Sequence, residues 1–271
     1  MKADGPILVG VDGSEQSRTA VSWAVAEAEL RGAEVHLVVV EDRPAHDEDR
    51  WHMVRELGDH VRLEHPLVEI HERIVRGHPA QRLVSRSAKA RMVVVGARGR
   101  GAITAALLGS VSVHLAMHAQ CPVVVVRDLP DPSGQVAAGV DGSPQSRAAL
   151  GFAFEAAALH HTDLVAIHVR QERSPEHAAP QPPPGAEQDR ADGLEVALAE
   201  WDERYPNVPV HRVVPHGRPV AELVAAARGA RLLVVGHRGR GGFAAVQLGS
   251  VASGVLQHAP CPVAVVRDET Q

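Results

Sequence analysis

"RMVVVGARGRGAITAALLGSVS" (Arg91 to Ser112) begins as an unbroken aliphatic run, passes through glycines and arginines, and closes on Gly-Ser. "RLLVVGHRGRGGFAAVQLGSVA" (Arg231 to Ala252) says the same thing later in the chain. A valine run without polar alternation is a strand buried on both faces, which belongs in a parallel sheet covered by helices. The glycines follow that strand, and a helix opens near Gly109-Ser110 and again near Gly249-Ser250.

Working outward, the duplication covers most of the chain. "ILVGVDGSEQSRTAVSWAVAEAEL" (Ile7 to Leu30) matches "VAAGVDGSPQSRAALGFAFEAAAL" (Val136 to Leu159), and "CPVVVVRD" (Cys121 to Asp128) matches "CPVAVVRD" (Cys261 to Asp268). A period of half the chain is too long for a solenoid, so the expectation is two homologous domains, 1–130 and 131–271. "LPDPSGQ" (Leu129 to Gln135) reads as their linker. "SPEHAAPQPPPGAEQ" (Ser174 to Gln188) reads as a proline-rich surface loop peculiar to the second half. Ser14 and Ser143 read as helix N-caps, Pro144 as the first helical residue and Gly32 as a C-cap. A polar helix is expected to carry Trp51, Val54, Gly58 and Val61 on one face. Each half then alternates five strands with helices. Right-handed crossovers make this α/β pattern a doubly wound parallel sheet of order 3-2-1-4-5.

In that order the chain reverses direction between strands one and four, and ligands of open α/β sheets bind in the crevice beyond their C-terminal ends. Strand one ends at Asp12 or Asp141. Strand four ends at Gly96 or Gly236. The spacing that follows is identical in both halves: Gly96, two residues, Gly99, nine residues, Gly109-Ser110, and Gly236, Gly239, Gly249-Ser250 in the same register. Such glycines allow positive φ and let backbone amides approach an anion. A helix start adds free amides and the positive end of its dipole. Arg98, Arg100, Arg238 and Arg240 are candidate partners of phosphate oxygens. A carboxylate such as Asp12 or Asp141 fits a ribose hydroxyl, a base or a hydrated metal ion better than a phosphate; bonding to local turn amides is the alternative. Val40 and Val169, ending strand two, are either an apolar wall for a base or plain core. No lysine follows the glycines, so this is not a Walker loop, and their order is not the dinucleotide fingerprint.

Composition narrows the rest. The 271 residues are 45% hydrophobic and only 3% aromatic, with net charge −5 and a pI near 6.4. That balance argues against nucleic-acid or membrane-surface binding. There is no signal-peptide pattern and no apolar run long enough to span a bilayer, so a cytoplasmic location is expected. Cys121 and Cys261 read as buried thiols. The seventeen histidines contain no H-E-x-x-H spacing, and solvated or helix-terminal roles are expected for them.

These motifs resemble the universal stress protein family in its tandem, ATP-binding form, common in actinobacteria. The resemblance implies a fold of the adenine nucleotide alpha hydrolase type, with the two halves paired through their fifth strands. It implies ATP as ligand, with Mg²⁺ or Mn²⁺ as its companion. Asp12 and Asp141 would contact the adenosine part, and Val40 and Val169 would face adenine. Gly96, Gly99, Gly109, Ser110 and Val111 would wrap ribose and phosphates, as would Gly236, Gly239, Gly249, Ser250 and Val251. A stress-response regulator, with a protein partner and a possible homodimer, is the implied role. No catalytic residue is assigned. The rival readings are a slow ATP hydrolase or other nucleotide-processing enzyme, and a ligand-free scaffold.

Overall fold

The computed structural model describes residues 5–41, 47–99, 108–170, 188–240 and 247–268. The first half runs β1 (Ile7–Val11), α1 (Glu15–Arg31), β2 (Val35–Glu41), α2 (Asp47–Glu64), β3 (Ile70–Arg76), α3 (Pro79–Ser87), β4 (Met92–Gly96), α4 (Ser110–His118) and β5 (Val123–Val126). The second half runs β6 (Val136–Gly139), α5 (Pro144–Leu159), β7 (Leu164–Ile167), α6 (Gln188–Arg204), β8 (Val210–Val213), α7 (Pro219–Ala226), β9 (Leu232–Gly236), α8 (Ser250–His258) and β10 (Val263–Val266).

The ten strands among the described residues form one sheet, ordered β3-β2-β1-β4-β5-β10-β9-β6-β7-β8. Within each half every pairing is parallel, in the expected 3-2-1-4-5 order. The halves meet where β5 and β10 pair antiparallel, with Val124 opposite Ala264. Left as edges, these two aliphatic strands would offer unpaired amides to any other strand. Paired, they are fully buried: Val124, Val126 and Ala264 are 0–1% exposed.

Alternate residues of the inner strands feed two cores. Met92 and Val94 face the layer of α1, α2, α5 and α6; Val93 and Val95 face α3, α4, α7 and α8. Helices cover both faces, which is why the valine runs lack polar alternation. The helix ends follow local chemistry. Ser14 and Ser143 accept from the amides of Ser17 and Ser146, and Gly32 closes α1 in the left-handed conformation at φ 57°. On α2, Val54, Gly58 and Val61 are buried as expected, but Trp51 is 43% exposed. Met53 and Leu57 pack beside the stripe instead, because the helix turns that flank toward the sheet.

Further contacts tie the halves together on both helix layers. On the α1/α5 layer, Glu27 is buried and bonded to Arg31 (2.6 Å) and to His160 (2.8 Å), while Arg31 also reaches Glu155 (2.5 Å). Burial opposes ionisation of Glu27, but His160 and Arg31 outweigh it and hold the carboxyl below its usual range. On the other layer, Arg127 beyond β5 donates to Leu256 O (3.3 Å) and Gln257 O (3.0 Å) in the last turn of α8. Arg267 beyond β10 returns the contact to Ala116 O (3.0 Å) and Met117 O in α4. Each arginine satisfies carbonyls at the negative end of the other half's helix. Cys121 and Cys261 are buried free thiols, and burial pushes the Cys261 thiol up to about 11.

Candidate functional site

The expected crevice position is framed twice, once in each half, by a turn after the first strand and a loop after the fourth. After β1, Gly13 (φ 83°) turns the chain so that Asp12 Oδ1 accepts from the Ser14 amide (2.9 Å) and hydroxyl (2.6 Å). After β6, Gly142 (φ 77°) does the same, and Asp141 Oδ1 accepts from the Ser143 amide at 2.9 Å. The other oxygen of Asp141 accepts the Arg240 amide at 2.9 Å. Burial pushes the Asp141 carboxyl up, but the hydrogen bonds from Ser143 and Arg240 more than offset this, so it sits below its ordinary value. Both aspartates therefore bond turn amides, the alternative raised for them on chemical grounds. Asp141 also ties its turn to the glycine loop.

The loop glycines answer to close approach rather than to unusual backbone angles. None of Gly96, Gly99, Gly109, Gly236, Gly239 and Gly249 has positive φ, which corrects the expectation that they supply it. A Cβ at Gly96 or Gly236 would fall 2.8 or 3.0 Å from the backbone of Gln16 or Gln145, so these glycines let α1 and α5 seat on the fourth strand. A Cβ at Gly99 or Gly239 would fall 2.4 Å from Oδ2 of Asp12 or Asp141. Gly109 and Gly249 are N-caps at φ −66° and −65°. Their amides close the loop on Ala97 O (2.7 Å) and His237 O (2.8 Å).

The helices that follow differ from α1 and α5 in one respect that matters for ligands. With glycine as N-cap, α4 and α8 receive no side-chain capping bond. Their first-turn amides keep the positive end of the dipole open toward the crevice, favouring an anion by roughly 0.3–2 kcal/mol. Ser110 and Ser250 are exposed at these starts, and Val111 and Val251 are half-buried beside them.

Arg98 is half-buried, and its Nε is buried without a hydrogen-bond partner among the described residues. Burial first, and then the charge of Arg98, lower the affinity of Arg127 for its proton; Arg238 has the same effect on Arg267. Each glycine loop is thus backed by two like charges, an arrangement that a counter-anion relieves. Arg240 is exposed and reaches Gly142 O at 3.4 Å. Arg100 lies outside the described residues, as does nearly all of the proline-rich stretch 174–188. Val40 is 8% exposed in the core under α3, and Val169 is half-buried.

Two residues that sequence reasoning passed over distinguish the crevices. Glu41 ends β2 almost fully buried and faces Arg50 of α2 at 3.5 Å. Its counterpart is Arg170, exposed and bridged to His216. His237 stands where the first half has Ala97. It is buried, its Nε2 accepts from Arg238 Nε (3.1 Å), and burial, then Arg267 and Arg238, push its pKa down to about 4. Both differences were visible once the halves were aligned residue by residue.

Residues 5–127 and 133–267 each match the Universal stress protein family. A universal stress protein of Mycolicibacterium smegmatis is 40% identical over 286 residues, covering 96% of each chain. One of Mycobacterium tuberculosis is 36% identical over 299 residues, covering 96% of this chain and 94% of the relative. Among solved structures, a universal stress protein of Archaeoglobus fulgidus superposes with a TM-score of 0.71 at 18% identity, covering 97% of this chain and 98% of its own. A functionally unknown protein of Pseudomonas aeruginosa gives 0.73 at 19%, covering 98% and 94%. At such identities the structures speak to the fold alone. The twofold family match and the full-length mycobacterial relatives agree with the duplicated sheet: this chain belongs to the universal stress protein family, in its tandem form.

Proposed function

We propose that the chain is an ATP-binding, cytoplasmic stress regulator with one nucleotide site in each domain, 1–130 and 131–271. The observation that supports this reading is the loop and helix start repeated in both halves. In both halves an uncapped helix start, glycines whose Cβ would crowd the neighbouring turn and a half-buried arginine meet at the ends of the first and fourth strands. The triphosphate would lie against the amides of Ser110 and Val111, or Ser250 and Val251, with Arg98 or Arg238 as counter-charge. The ribose would meet Asp12 or Asp141, and adenine Val40 or Val169. A Mg²⁺ or Mn²⁺ companion would be held chiefly by phosphate oxygens and water, since each aspartate already accepts backbone amides. Its contribution would be to neutralise charge.

Turnover is expected to be slow at most, because no lysine follows the glycines to stabilise phosphoryl transfer. Occupancy would order the glycine loops and shift the population of a surface read by a regulatory protein or a second copy of the chain. The test is calorimetry with ATP, ADP and AMP, alongside mass spectrometry of nucleotide released on denaturation. About two ATP per chain is expected. Gly109→Glu or Gly249→Glu should each remove one site by placing a carboxylate at the helix start. Parent-like binding in both variants refutes the assignment.

A further inference from the structure

At the opposite end of the sheet from the crevice, the start of β2 and the approach to β3 carry the same tripeptide pattern. These are Glu34-Val35-His36 and Glu69-Ile70-His71. Along a strand, side chains two apart share a face. In the parallel register of β2 and β3, Val35 pairs with Ile70 and His36 with His71. Strand periodicity and register together therefore bring two histidines and two glutamates to one surface. The separation from the C-terminal end of β2 is five residues, about 17 Å at strand rise.

The side chains converge. His36 and His71 meet edge-on, with ring centroids 5.1 Å apart. Their Nε2 atoms both face Glu34 Oε2, at 3.3 and 3.7 Å. His71 Nε2 also lies 2.9 Å from Glu69 Oε1. Ligand atoms from Glu34, His36 and His71 all lie within 4.8 Å of one another. A tetrahedral ion bound at about 2.05 Å sets its ligands roughly 3.3 Å apart. The two spacings to Glu34 are close to that value, and one is too long for a hydrogen bond. The histidines are only about a quarter to a third exposed, so the ring edges are held in place while the carboxylates stay reachable from solvent.

We propose that Glu34, His36 and His71, with Glu69 or water completing the set, form a binding site for Zn²⁺ or a similar divalent transition ion. Imidazole nitrogens select such ions over Mg²⁺ and Ca²⁺. The second half is an internal control. Its β7 and β8 register places Val165 opposite His211, and the residue before β8 is Pro209. His211 keeps a carboxylate partner in Asp163 at 2.7 Å, but the second imidazole and second glutamate are gone. Among the described residues the cluster therefore occurs once, in the first half. It joins β3, at the end of the described sheet, to its neighbour β2. Bound metal would hold that edge in place.

The test uses the full chain without an affinity tag, stripped with EDTA and kept free of nucleotide. Zn²⁺ is titrated against a chromophoric chelator, and Co²⁺ is followed by its visible absorption. One tight equivalent is expected, with a tetrahedral Co²⁺ spectrum that excess Mg²⁺ does not displace and a raised melting temperature on adding Zn²⁺. His36→Ala and His71→Ala should each weaken binding at least tenfold. His118→Ala should not, although His114 and His118 also adjoin, with centroids 4.4 Å apart. Val165→His with Pro209→Glu should install a second equivalent with the same Co²⁺ spectrum. Parent-like affinity in both His36→Ala and His71→Ala, loss of the site in His118→Ala, or displacement by Mg²⁺ overturns the proposal. None of these readouts depends on nucleotide binding.

Discussion

Replacing Gly239 by alanine should change sign with the residue at position 141. The added Cβ would stand 2.4 Å from Asp141 Oδ2, roughly 1 Å inside comfortable non-bonded contact at about 3.5 Å. The carboxylate cannot turn away freely, because it accepts the amides of Ser143 and Arg240, each at 2.9 Å. Giving up the Arg240 bond costs about 1.5 kcal/mol, the low end for a charged acceptor, since Arg240 is exposed and its freed amide can bond water. Position 239 has no positive φ, so alanine brings no backbone strain there. Alanine also narrows the unfolded ensemble, contributing about 0.4–1 kcal/mol in favour of folding. In the parent chain the net effect is a loss of about 0.5–1 kcal/mol. In an Asp141→Ala background the obstruction is gone, and the same substitution should be neutral or stabilising by up to about 1 kcal/mol. Urea unfolding of the four proteins, followed by circular dichroism, measures this double-mutant cycle. Equal destabilisation by Gly239→Ala in both backgrounds would show that the glycine is not there for the aspartate.

Three other outcomes follow from the same geometry. Arg127→Ala and Arg267→Ala should each cost about 1–2 kcal/mol, roughly additively, by leaving carbonyls at the ends of α8 and α4 without their donor; unchanged urea midpoints in both would refute the reciprocal contact. Because the His237 pKa lies at about 4, the unfolded chain takes up that proton first as pH falls from 6.5. The stabilisation is complete above pH 6.5 and is lost toward pH 4, so His237→Ala should flatten the pH dependence of the midpoint across that window. A parent-like slope counts against this. Val124→Asp should cost at least about 4 kcal/mol or prevent folding, since the residue is fully buried opposite Ala264; a soluble variant melting near the parent refutes the β5–β10 seam as the join.

The fold was legible because its signals are local. Valine runs such as Met92 to Val95 announce strands buried on both faces, and Ser14, Ser143 and Gly32 mark helix ends within three or four residues of themselves. The glycine spacing marked the loop after the fourth strand, though positive φ, one of the two reasons offered for the glycines, was wrong. What no local pattern could state is which atom lies across the gap. The carboxylate that limits Gly99 belongs to Asp12, and the backbone that limits Gly96 belongs to Gln16. Trp51 misled because helical spacing gives a stripe without saying which flank the sheet touches.

By itself, the sequence determined the duplicated strand-and-helix order, the strand ends that bound the crevice, and the likeness of the two crevices. These follow from burial and turn chemistry acting over a few residues. Tertiary structure alone decided that Arg127 and Arg267 cap each other's helices, that Glu41 is buried against Arg50 while its counterpart Arg170 stays exposed, and that two Glu-x-His tripeptides share one surface. Each of those depends on strand register and helix packing, which bring together residues that the chain keeps far apart.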